Sequence, residues 1–502
     1  MLSWIEFGQV AAERDDLLGE YFFDTGVLDS VSASGSNFLV LGRKGAGKTA
    51  VFLQFDKNYE KYLSEGDCSV ALSLDNYDWS VHELLSNPAK APALAFIESW
   101  KFFIYVQTVR LIEEVGFGSI HTKKLNKILK KIYGSPVPTL VDLVGGKILQ
   151  LSRLKLPSGG VTISERDLEG LSVSGGEVEF GDVKSDPSMQ SKLSSNVGNL
   201  VQTFEIELLA HFENSGRAFV SFDRVDEAWV DGSIETIKPM IGGLVSAADS
   251  ITQKFGGKLR PVLFLREDIF SHLSVNDKNK LRSDCGQLLA WQANSLNRVI
   301  MERVNFFSKR AGVSGPQSVN DLFDKEKMRQ QRAPFDYLLL RTMMRPRDLI
   351  KFLQLVRSDM IDRRDNPFEG EDVNLEKLEC KAIYNAEPLY SEWLKEEIID
   401  EWQAQFPQIN TILDSLSAIG STTFSFLEFQ NALKRQGLDL IEVDARKYMK
   451  FMFDNSIIGF KVGKSQLWRF RCFHPSQGFL DVETYKVHDG LTRALNLKET
   501  RA

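Results

Sequence analysis

Residues 42–49 are spaced for phosphate binding. They read Gly-Arg-Lys-Gly-Ala-Gly-Lys-Thr, which matches the pattern G-x-x-x-x-G-K-[ST] in full. In this pattern the glycines let backbone N–H groups turn inward around phosphate oxygens, the lysine reaches the β- and γ-phosphates, and the last hydroxyl binds Mg²⁺. The sequence therefore predicts a site for ATP and Mg²⁺, with the hydroxyl of Thr49 as a magnesium ligand. The predicted nucleotide-binding residues of this loop are Gly42, Gly45, Ala46, Gly47, Lys48 and Thr49.

The residues on either side of the loop fit this interpretation. Residues 37–41 are Asn-Phe-Leu-Val-Leu, a short apolar run typical of a buried strand, and residues 49–55 can begin a helix. A strand, a glycine-rich loop and a helix form the context in which the motif works, because the helix N-terminus adds the positive end of its dipole. The alternative, an ordinary glycine turn before a helix, is disfavoured by this context.

A second group of candidate residues follows another apolar run. Residues 218–222, Ala-Phe-Val-Ser-Phe, predict a strand, and Asp223 comes directly after it. An acid in this position could hold Mg²⁺ directly or through water. Many hydrolytic ATPases place a glutamate after that acid, but here the residue is Arg224, so Asp226 or Glu227 would have to polarise the attacking water. Asp223, Asp226 and Glu227 are thus the predicted catalytic residues, although strands often end in a polar turn.

Three arginines are candidates for sensing the terminal phosphate. Arg266 ends a predicted strand, and Arg345 and Arg347 lie at the start of a predicted helix. Cations at a helix start are electrostatically unfavourable unless they face anions. We therefore expect a phosphate contact from Arg266 and from Arg345 or Arg347. The alternatives are ion pairs, of Arg266 with Glu267 or Asp268 and of the other two arginines with carboxylates elsewhere.

The composition limits the class of protein. The 502 residues are 43% hydrophobic and 26% charged, with a net charge of −7, which argues against a globally basic nucleic-acid-binding surface. Four widely separated cysteines make no C-x-x-C pair and predict free thiols in a reducing compartment. The sequence shows neither a signal peptide nor an apolar run near 18 residues, so we expect a cytoplasmic protein with no membrane span.

The C-terminal third predicts a small domain in which three helices precede a hairpin, an order that resembles a winged helix. The predicted helices are 409–419, 425–435 and 444–453, and the hairpin strands are 456–462 and 467–473. Residues 431–480 carry more Lys and Arg than Asp and Glu, which would permit contacts with nucleic-acid phosphates. We favour domain closure or protein interaction for this region, because the basic excess is modest.

The segments GRKGAGKT, FVSFDRVDE, FLRED and MRPRDL, in this order, resemble the AAA+/STAND group of P-loop ATPases. The chain looks especially like a family of bacterial STAND-like ATPases often found in phage-defence settings. The resemblance implies an α/β fold: an αβα P-loop NTPase core with a helical lid and a C-terminal winged-helix-like domain. It assigns the Walker A role to Lys48 and Thr49, the Walker B role to Asp223, the first sensor to Arg266 and the second to Arg345 or Arg347.

We predict three domains. Residues 1–275 form the P-loop ATPase core, with an inserted arm at 121–190 that contains a β-hairpin, residues 276–365 form the helical lid, and residues 366–502 form the winged-helix-like domain. The hairpin is predicted from two alternating segments of the arm, near 161–164 and 176–180. A run of lysines earlier in the arm is typical of a solvated helix face rather than of a ligand site.

The leading hypothesis is an ATPase switch that binds Mg-ATP, hydrolyses it slowly, and changes its assembly or its contacts, with anti-phage defence as the setting. The expected partners are further copies in a homo-oligomer, a protein effector or sensor, and nucleic acid through the C-terminal domain. The alternative is a nucleotide-gated DNA-binding protein resembling replication-initiator ATPases. A P-loop kinase with a small-molecule acceptor is disfavoured, because Arg266 and the Arg345/Arg347 pair suit a lid-sensing ATPase better.

Overall fold

The structure is a computed structural model of the chain. It describes all residues except 76, 78, 88–89, 137, 139–145, 156–161, 170–177, 226–233, 367–372, 464, 466 and 500–502. The described residues form two compact units. The sheet unit comprises residues 24–43 and 48–289, and the helical unit comprises residues 1–23, 44–47 and 290–502. Residues 1–23 thus belong to the same unit as the C-terminal half of the chain, whereas the predicted boundaries assign them to the ATPase core.

Five parallel strands form the centre of the sheet unit, in the order β2-β3-β4-β1-β5. They are β1 (Leu39–Gly42), β2 (Cys68–Ser73), β3 (Ala218–Asp223), β4 (Leu259–Arg266) and β5 (Gly286–Leu288). Every residue of β1, β3 and β4 is buried, as expected for strands that are covered on both faces. The sequence predicts the first four strands, from the apolar runs at 37–41, 218–222 and 261–265 and from an alternating run at 68–74. The fifth was not predicted, because Gly-Gln-Leu is too short and too polar to stand out.

The described part of the sheet unit contains twelve α-helices. They are α1 (Val27–Ala33), α2 (Lys48–Lys57), α3 (Ser80–Leu85), α4 (Pro92–Ala95), α5 (Ile97–Glu114), α6 (Ile120–Tyr133), α7 (Glu165–Glu169), α8 (Phe180–Ser185), α9 (Pro187–Glu213), α10 (Ile234–Lys254), α11 (Glu267–His272) and α12 (Lys278–Asp284). Short 3-10 helices lie at Tyr59–Lys61 and Gly146–Arg153.

Helices cover both faces of the sheet. The ring of Phe219 on β3 contacts Phe55 of α2, with 5.7 Å between ring centroids. Phe222 of the same strand contacts Trp100 of α5, with 6.4 Å between centroids. Side chains alternate between the faces of a strand, and residues 219 and 222 are an odd number of positions apart, so α2 and α5 lie on opposite faces. The predicted αβα arrangement is confirmed.

The topology places the end of β1 at a switch point of the sheet. The connection that leaves β1 leads past β4 and β3 to β2, whereas the connection that leaves β4 leads past β1 to β5. Neighbouring strands whose connections leave in opposite directions open a crevice at their carboxyl ends, where ligands bind in open α/β sheets. The phosphate loop begins at that crevice.

The described residues of the predicted arm at 121–190 are helical. Ser119 is the N-cap of α6 and forms a capping box with Thr122, and Gly134 is the C-cap, with φ +75°. All lysines of the run lie on the exposed face of α6, as predicted. The predicted hairpin falls partly on residues outside the described part. Where its segments are described, residues 162–164 form no strand and Phe180 begins α8.

Seven α-helices lie in the described part of the helical unit. They are α13 (Ala293–Arg310), α14 (Pro334–Leu339), α15 (Pro346–Asp365), α16 (Cys380–Trp402), α17 (Ile409–Ile419), α18 (Phe426–Arg435) and α19 (Glu442–Asp454), with 3-10 helices at Ala12–Arg14, Leu18–Glu20, Val319–Leu322, Arg329–Gln331 and Asp489–Leu491. Helices α15 and α16 pack closely, since the rings of Phe352 and Tyr390 stack at 4.2 Å with an interplanar angle of 4°.

A three-stranded antiparallel sheet completes the helical unit. Its strands β6 (Thr423–Phe424), β7 (Ile458–Phe460) and β8 (Tyr485–Val487) are ordered β6-β8-β7. The predicted first strand of the hairpin is thus present as β7, but its main partner is β8 rather than residues 467–473. Those residues contribute one bridge, between Arg469 and Phe460. The sequence did not predict the pairing of β7 with β8, because a long segment separates these two strands. Two adjacent alternating runs are more simply interpreted as a hairpin with a short loop.

Along the described residues, no helix is both long enough and apolar enough to cross a bilayer. None of the four cysteines forms a disulfide, as predicted.

Candidate functional site

The phosphate loop joins β1 to α2, and two of its glycines adopt angles that favour glycine. Gly45 has φ +76° and Gly47 has φ +93°, in the left-handed region that other residues rarely adopt. Successive N–H groups can then point into one concavity, which is the geometry of an anion-binding nest. The strand, the loop and the helix predicted from the sequence are therefore present in the predicted order.

Lys48 is the first residue of α2, and its side chain folds back over the loop. Lys48 as a whole is only 8% exposed, and its Nζ lies 3.2 Å from the carbonyl oxygens of both Gly42 and Arg43. An ammonium held in this way is positioned at the loop rather than in bulk water. Thr49 follows in the first turn of α2 and is half-buried.

Asp223 is the last residue of β3 and is buried, with 3% exposure. This places a carboxyl group at the same edge of the sheet as the end of β1, because the carboxyl ends of parallel strands share an edge. Arg224 turns the chain with φ +59°, and its guanidinium lies 3.8 Å from the carboxylate of Asp75. The predicted water-polarising residues, Asp226 and Glu227, lie outside the described residues.

Arg266 ends β4 directly beside the loop, since it is in register with Gly42 of β1. Its buried guanidinium forms a bidentate pair with Asp268, with Nε–Oδ1 and Nη2–Oδ2 distances of 3.1 Å and 2.8 Å. Glu267 pairs with Arg282 instead. Arg266 therefore lies where a phosphate sensor would be expected. It also forms the ion pair with Asp268 that was the alternative to a phosphate contact.

The tip of the loop lies against the two other candidate arginines. A Cβ atom on Gly45 would be 3.3 Å from Cδ of Arg345 and 3.4 Å from Cδ of Arg347. The indole N–H of Trp291 also donates to the Ala46 carbonyl oxygen at 2.8 Å. A side chain at residue 45 would press on both arginines, so glycine is needed there for close approach as well as for its backbone angle.

Each of these arginines pairs with a glutamate of α16. Nη1 of Arg345 lies 3.0 Å from Oε2 of Glu401, and Nη1 of Arg347 lies 3.0 Å from Oε2 of Glu397. The first pair is buried, with side-chain exposures of 8% and 3%, whereas the second is partly exposed, with 28% and 22%. These glutamates are the anions that cations at the start of α15 require. In the sequence, the four-residue spacing of Glu397 and Glu401 indicates that they share one face of a helix. It does not indicate that Arg347 and Arg345 are their partners.

Asp348 lies beside the buried pair. Its carboxylate accepts the backbone N–H of Met343 at 2.8 Å. Burial raises the pKa of Asp348 to about 6, and the nearby Arg345 guanidinium limits the rise. Arg345 is therefore surrounded by acidic groups in the protein interior, whereas Arg347 keeps part of its surface accessible.

The described side chains show no cluster of three or more His, Cys, Asp or Glu residues that could hold a metal. A magnesium ion would instead rely on few protein oxygens and on phosphate and water, as is usual for this ion. Thr49 and Asp223 fit such a role by residue type, since both offer oxygen atoms.

Some of the cations of the C-terminal region are in ion pairs within the domain. Carboxylates lie near four of them, in the pairs Lys434–Asp439, Arg446–Glu442, Lys447–Asp444 and Lys450–Asp454. Arg446 also pairs with Asp481. The four acids of residues 431–480 are thus all in local ion pairs, and the net positive excess of the segment remains.

A phosphate loop that joins the first strand of a parallel sheet to a covering helix, at a switch point of that sheet, defines a P-loop NTPase fold. The chain has that fold.

The chain matches a family model in its helical region and is distantly similar to a protein of Escherichia coli. A family model described as the FunZ-associated C-terminal helical domain matches residues 294–399. The chain is 22% identical to the putative transposon gamma-delta 80.3 kDa protein of Escherichia coli K12, over 98% of this chain and 67% of that protein.

Two solved structures cover nearly the whole chain at low similarity. The Walker-type ATPase PABY2304 of Pyrococcus abyssi is 12% identical, with a TM-score of 0.39 and coverage of 99% of each chain. The Orc1 protein of Aeropyrum pernix, solved in complex with DNA, is 14% identical, with a TM-score of 0.36 and coverage of 93% of this chain and 90% of that chain.

Proposed function

We propose that this chain is a switch that binds Mg-ATP, hydrolyses it slowly, and changes its oligomeric state or its partner contacts with the bound nucleotide. The observation that carries the proposal is the loop. Gly45 and Gly47 have the angles that turn N–H groups toward an anion, at the start of a helix and at the crevice of a parallel sheet.

The proposed roles follow from position and chemistry. Lys48 supplies a cation to the β- and γ-phosphates, and the Thr49 hydroxyl and Asp223 carboxylate hold Mg²⁺ directly or through water. Magnesium, when bound, neutralises charge on the phosphates. Asp226 or Glu227 polarises the attacking water, since Arg224 takes the adjacent position and is turned toward Asp75.

The two groups of candidate sensors have different support. Arg266 ends β4 in register with the first loop residue, and Arg347 lies against the loop tip with its side chain partly exposed. We assign the second sensor to Arg347 rather than to Arg345, because Arg345 is enclosed with Glu401. The assignment to a STAND-like group and to anti-phage defence is supported by the resemblance of the motif segments.

Calorimetry with ATP and Mg²⁺ tests the binding site directly. Lys48→Ala should weaken binding by about 10- to 100-fold, since charge-assisted hydrogen bonds contribute about 1.5–3 kcal/mol each and 1.4 kcal/mol corresponds to tenfold. Lys44→Ala is the matched control, because it removes a cation from the same loop at a position that the motif leaves open. Equal affinities of wild type and Lys48→Ala would show that ATP binds elsewhere or not at all.

A second candidate function is nucleotide-gated DNA binding. It is favoured by the order of elements in residues 409–487, which is helix, strand, helix, helix, strand, strand, as in a winged helix. Mass photometry with and without ATP and duplex DNA separates the two proposals. An ATP-dependent change in mass without DNA supports the switch, and a DNA complex that forms only with ATP supports the second function.

A further inference from the structure

Two arginine–glutamate pairs connect the start of α15 to the last turns of α16. Arg345 and Arg347 are two residues apart, and their partners Glu401 and Glu397 are one helical turn apart. Residues four apart on a helix share a face, so both glutamates belong to one acidic stripe of α16. The two pairs have the same 3.0 Å distance and differ in burial.

This difference decides which arginine can change its partner. Removing a partner from a buried pair leaves an uncompensated charge, which is strongly unfavourable. A partly exposed pair is weak, because water and salt screen it and can replace either partner. Arg345 is thus fixed to Glu401, whereas Arg347 can leave Glu397 at little cost.

The loop tip brings an alternative partner to Arg347. Gly45 lies against the side chain of Arg347, and the N–H groups of the loop are the groups that hold phosphate in the proposed function. A guanidinium presents the same fork of donors to a phosphate and to a carboxylate. A phosphate at the loop and the carboxylate of Glu397 would therefore use the same donors.

We propose that Glu397 is a regulatory counter-ion that competes with the terminal phosphate of ATP for Arg347. ATP binding breaks the Arg347–Glu397 pair and frees that turn of α16, while the Arg345–Glu401 pair keeps the helix attached to α15. ADP lacks the terminal phosphate and leaves the pair intact. This inference rests on the proposed function and adds to it the group that ATP displaces.

The competition predicts that removing the negative charge of Glu397 increases the affinity for ATP. Part of the protein must release Arg347 before ATP can use it, and the apparent affinity is reduced by the fraction that is competent. Glu397→Gln should therefore tighten the binding of a non-hydrolysable ATP analogue by about 1.5- to 5-fold, the range that corresponds to a partly exposed ion pair. The binding of ADP should not change.

Calorimetry on the full chain, with the analogue and with ADP at one ionic strength, tests this. Glu396→Gln is the matched control, since it removes the same charge from the neighbouring, mostly exposed position of α16. In an Arg347→Ala background, Glu397→Gln should have no effect, because the two residues act through one pair. A simple change in net charge would instead affect both glutamate variants and both nucleotides alike.

The outcomes separate this inference from the proposed function. If Lys48→Ala binds the analogue as wild type does, the proposed site is wrong. If Lys48→Ala loses binding but Glu397→Gln matches Glu396→Gln, binds the analogue more weakly, or changes ADP equally, then the site stands and the competition is overturned.

Discussion

The two glutamates of α16 should contribute very differently to stability, although they make the same kind of contact. Glu401→Gln and Glu397→Gln each remove one negative charge, keep nearly the same side-chain shape, and leave an arginine without its carboxylate at 3.0 Å. Only Glu401 and its partner Arg345 are buried. The comparison therefore isolates the effect of burial on the value of an ion pair.

The expected magnitudes follow from the surroundings of each pair. Breaking a buried pair by removing one partner costs about 3–5 kcal/mol, since the remaining charge is poorly solvated. Asp348 lies near Arg345 and partly compensates it, so we expect the lower end of that range, about 3 kcal/mol, for Glu401→Gln. The pair of Glu397 is partly exposed and should lose only about 0.2–1 kcal/mol.

Native-state hydrogen exchange of the α16 amides measures this loss locally. A global melting curve is less suitable, because a chain with two compact units need not unfold in one step. The opening free energy of α16 should fall by about 3 kcal/mol in Glu401→Gln and by less than about 1 kcal/mol in Glu397→Gln. Equal losses in the two variants, or a larger loss in Glu397→Gln, would refute the distinction between a fixed and an exchangeable pair.

Three further predictions concern the loop, the base and the buried aspartate. Gly45→Ala should weaken ATP binding in calorimetry and destabilise the loop by about 1–2 kcal/mol, the cost of a left-handed residue, whereas Gly35→Ala, where added atoms meet open space, should do neither. Asp226→Asn or Glu227→Gln should lower steady-state turnover more than ATP affinity, because a base acts on water and not on the bound nucleotide. Two unchanged rates would place the base elsewhere. Since burial raises the pKa of Asp348 to about 6 from an ordinary value of 3.8, its contribution to stability is full below pH 3.8 and is lost as the pH rises to 6. Asp348→Asn should flatten this decline in denaturation experiments between pH 4 and 6, and an unchanged slope would contradict it.

Much of the sheet could be predicted from the sequence, because three of its strands, β1, β3 and β4, are buried along their whole length. Such strands are nearly continuous apolar runs, here at 37–41, 218–222 and 261–265, whereas the partly buried β2 was predicted from the alternating run at 68–74. The loop was predictable for a different reason. Its glycines are required by backbone angles that few other residues adopt, so the pattern of residue types carries the local conformation directly.

The partners of the arginines could not be predicted in the same way. Glu397 and Glu401 lie about fifty residues beyond Arg345 and Arg347, and their pairing depends on how α15 and α16 pack. The sequence indicated that cations at the start of α15 need anions, but a phosphate and a carboxylate satisfy that need equally. Only the packing of the two helices shows that carboxylates meet both arginines.

Several cations of the C-terminal region are in local ion pairs that a nucleic acid would have to replace. The lysines and arginines of this region outnumber its acids in the sequence, yet Lys447 and Lys450 each face an acid on their own helix, and Arg446 faces two. Nucleic-acid binding would have to replace these local pairs by phosphate contacts. Because the pairs are exposed, the cost of replacing each is small, and the gain from releasing counterions depends on salt. A DNA complex of this region should therefore weaken steeply as salt rises, whereas closure through the apolar core of the domain should not.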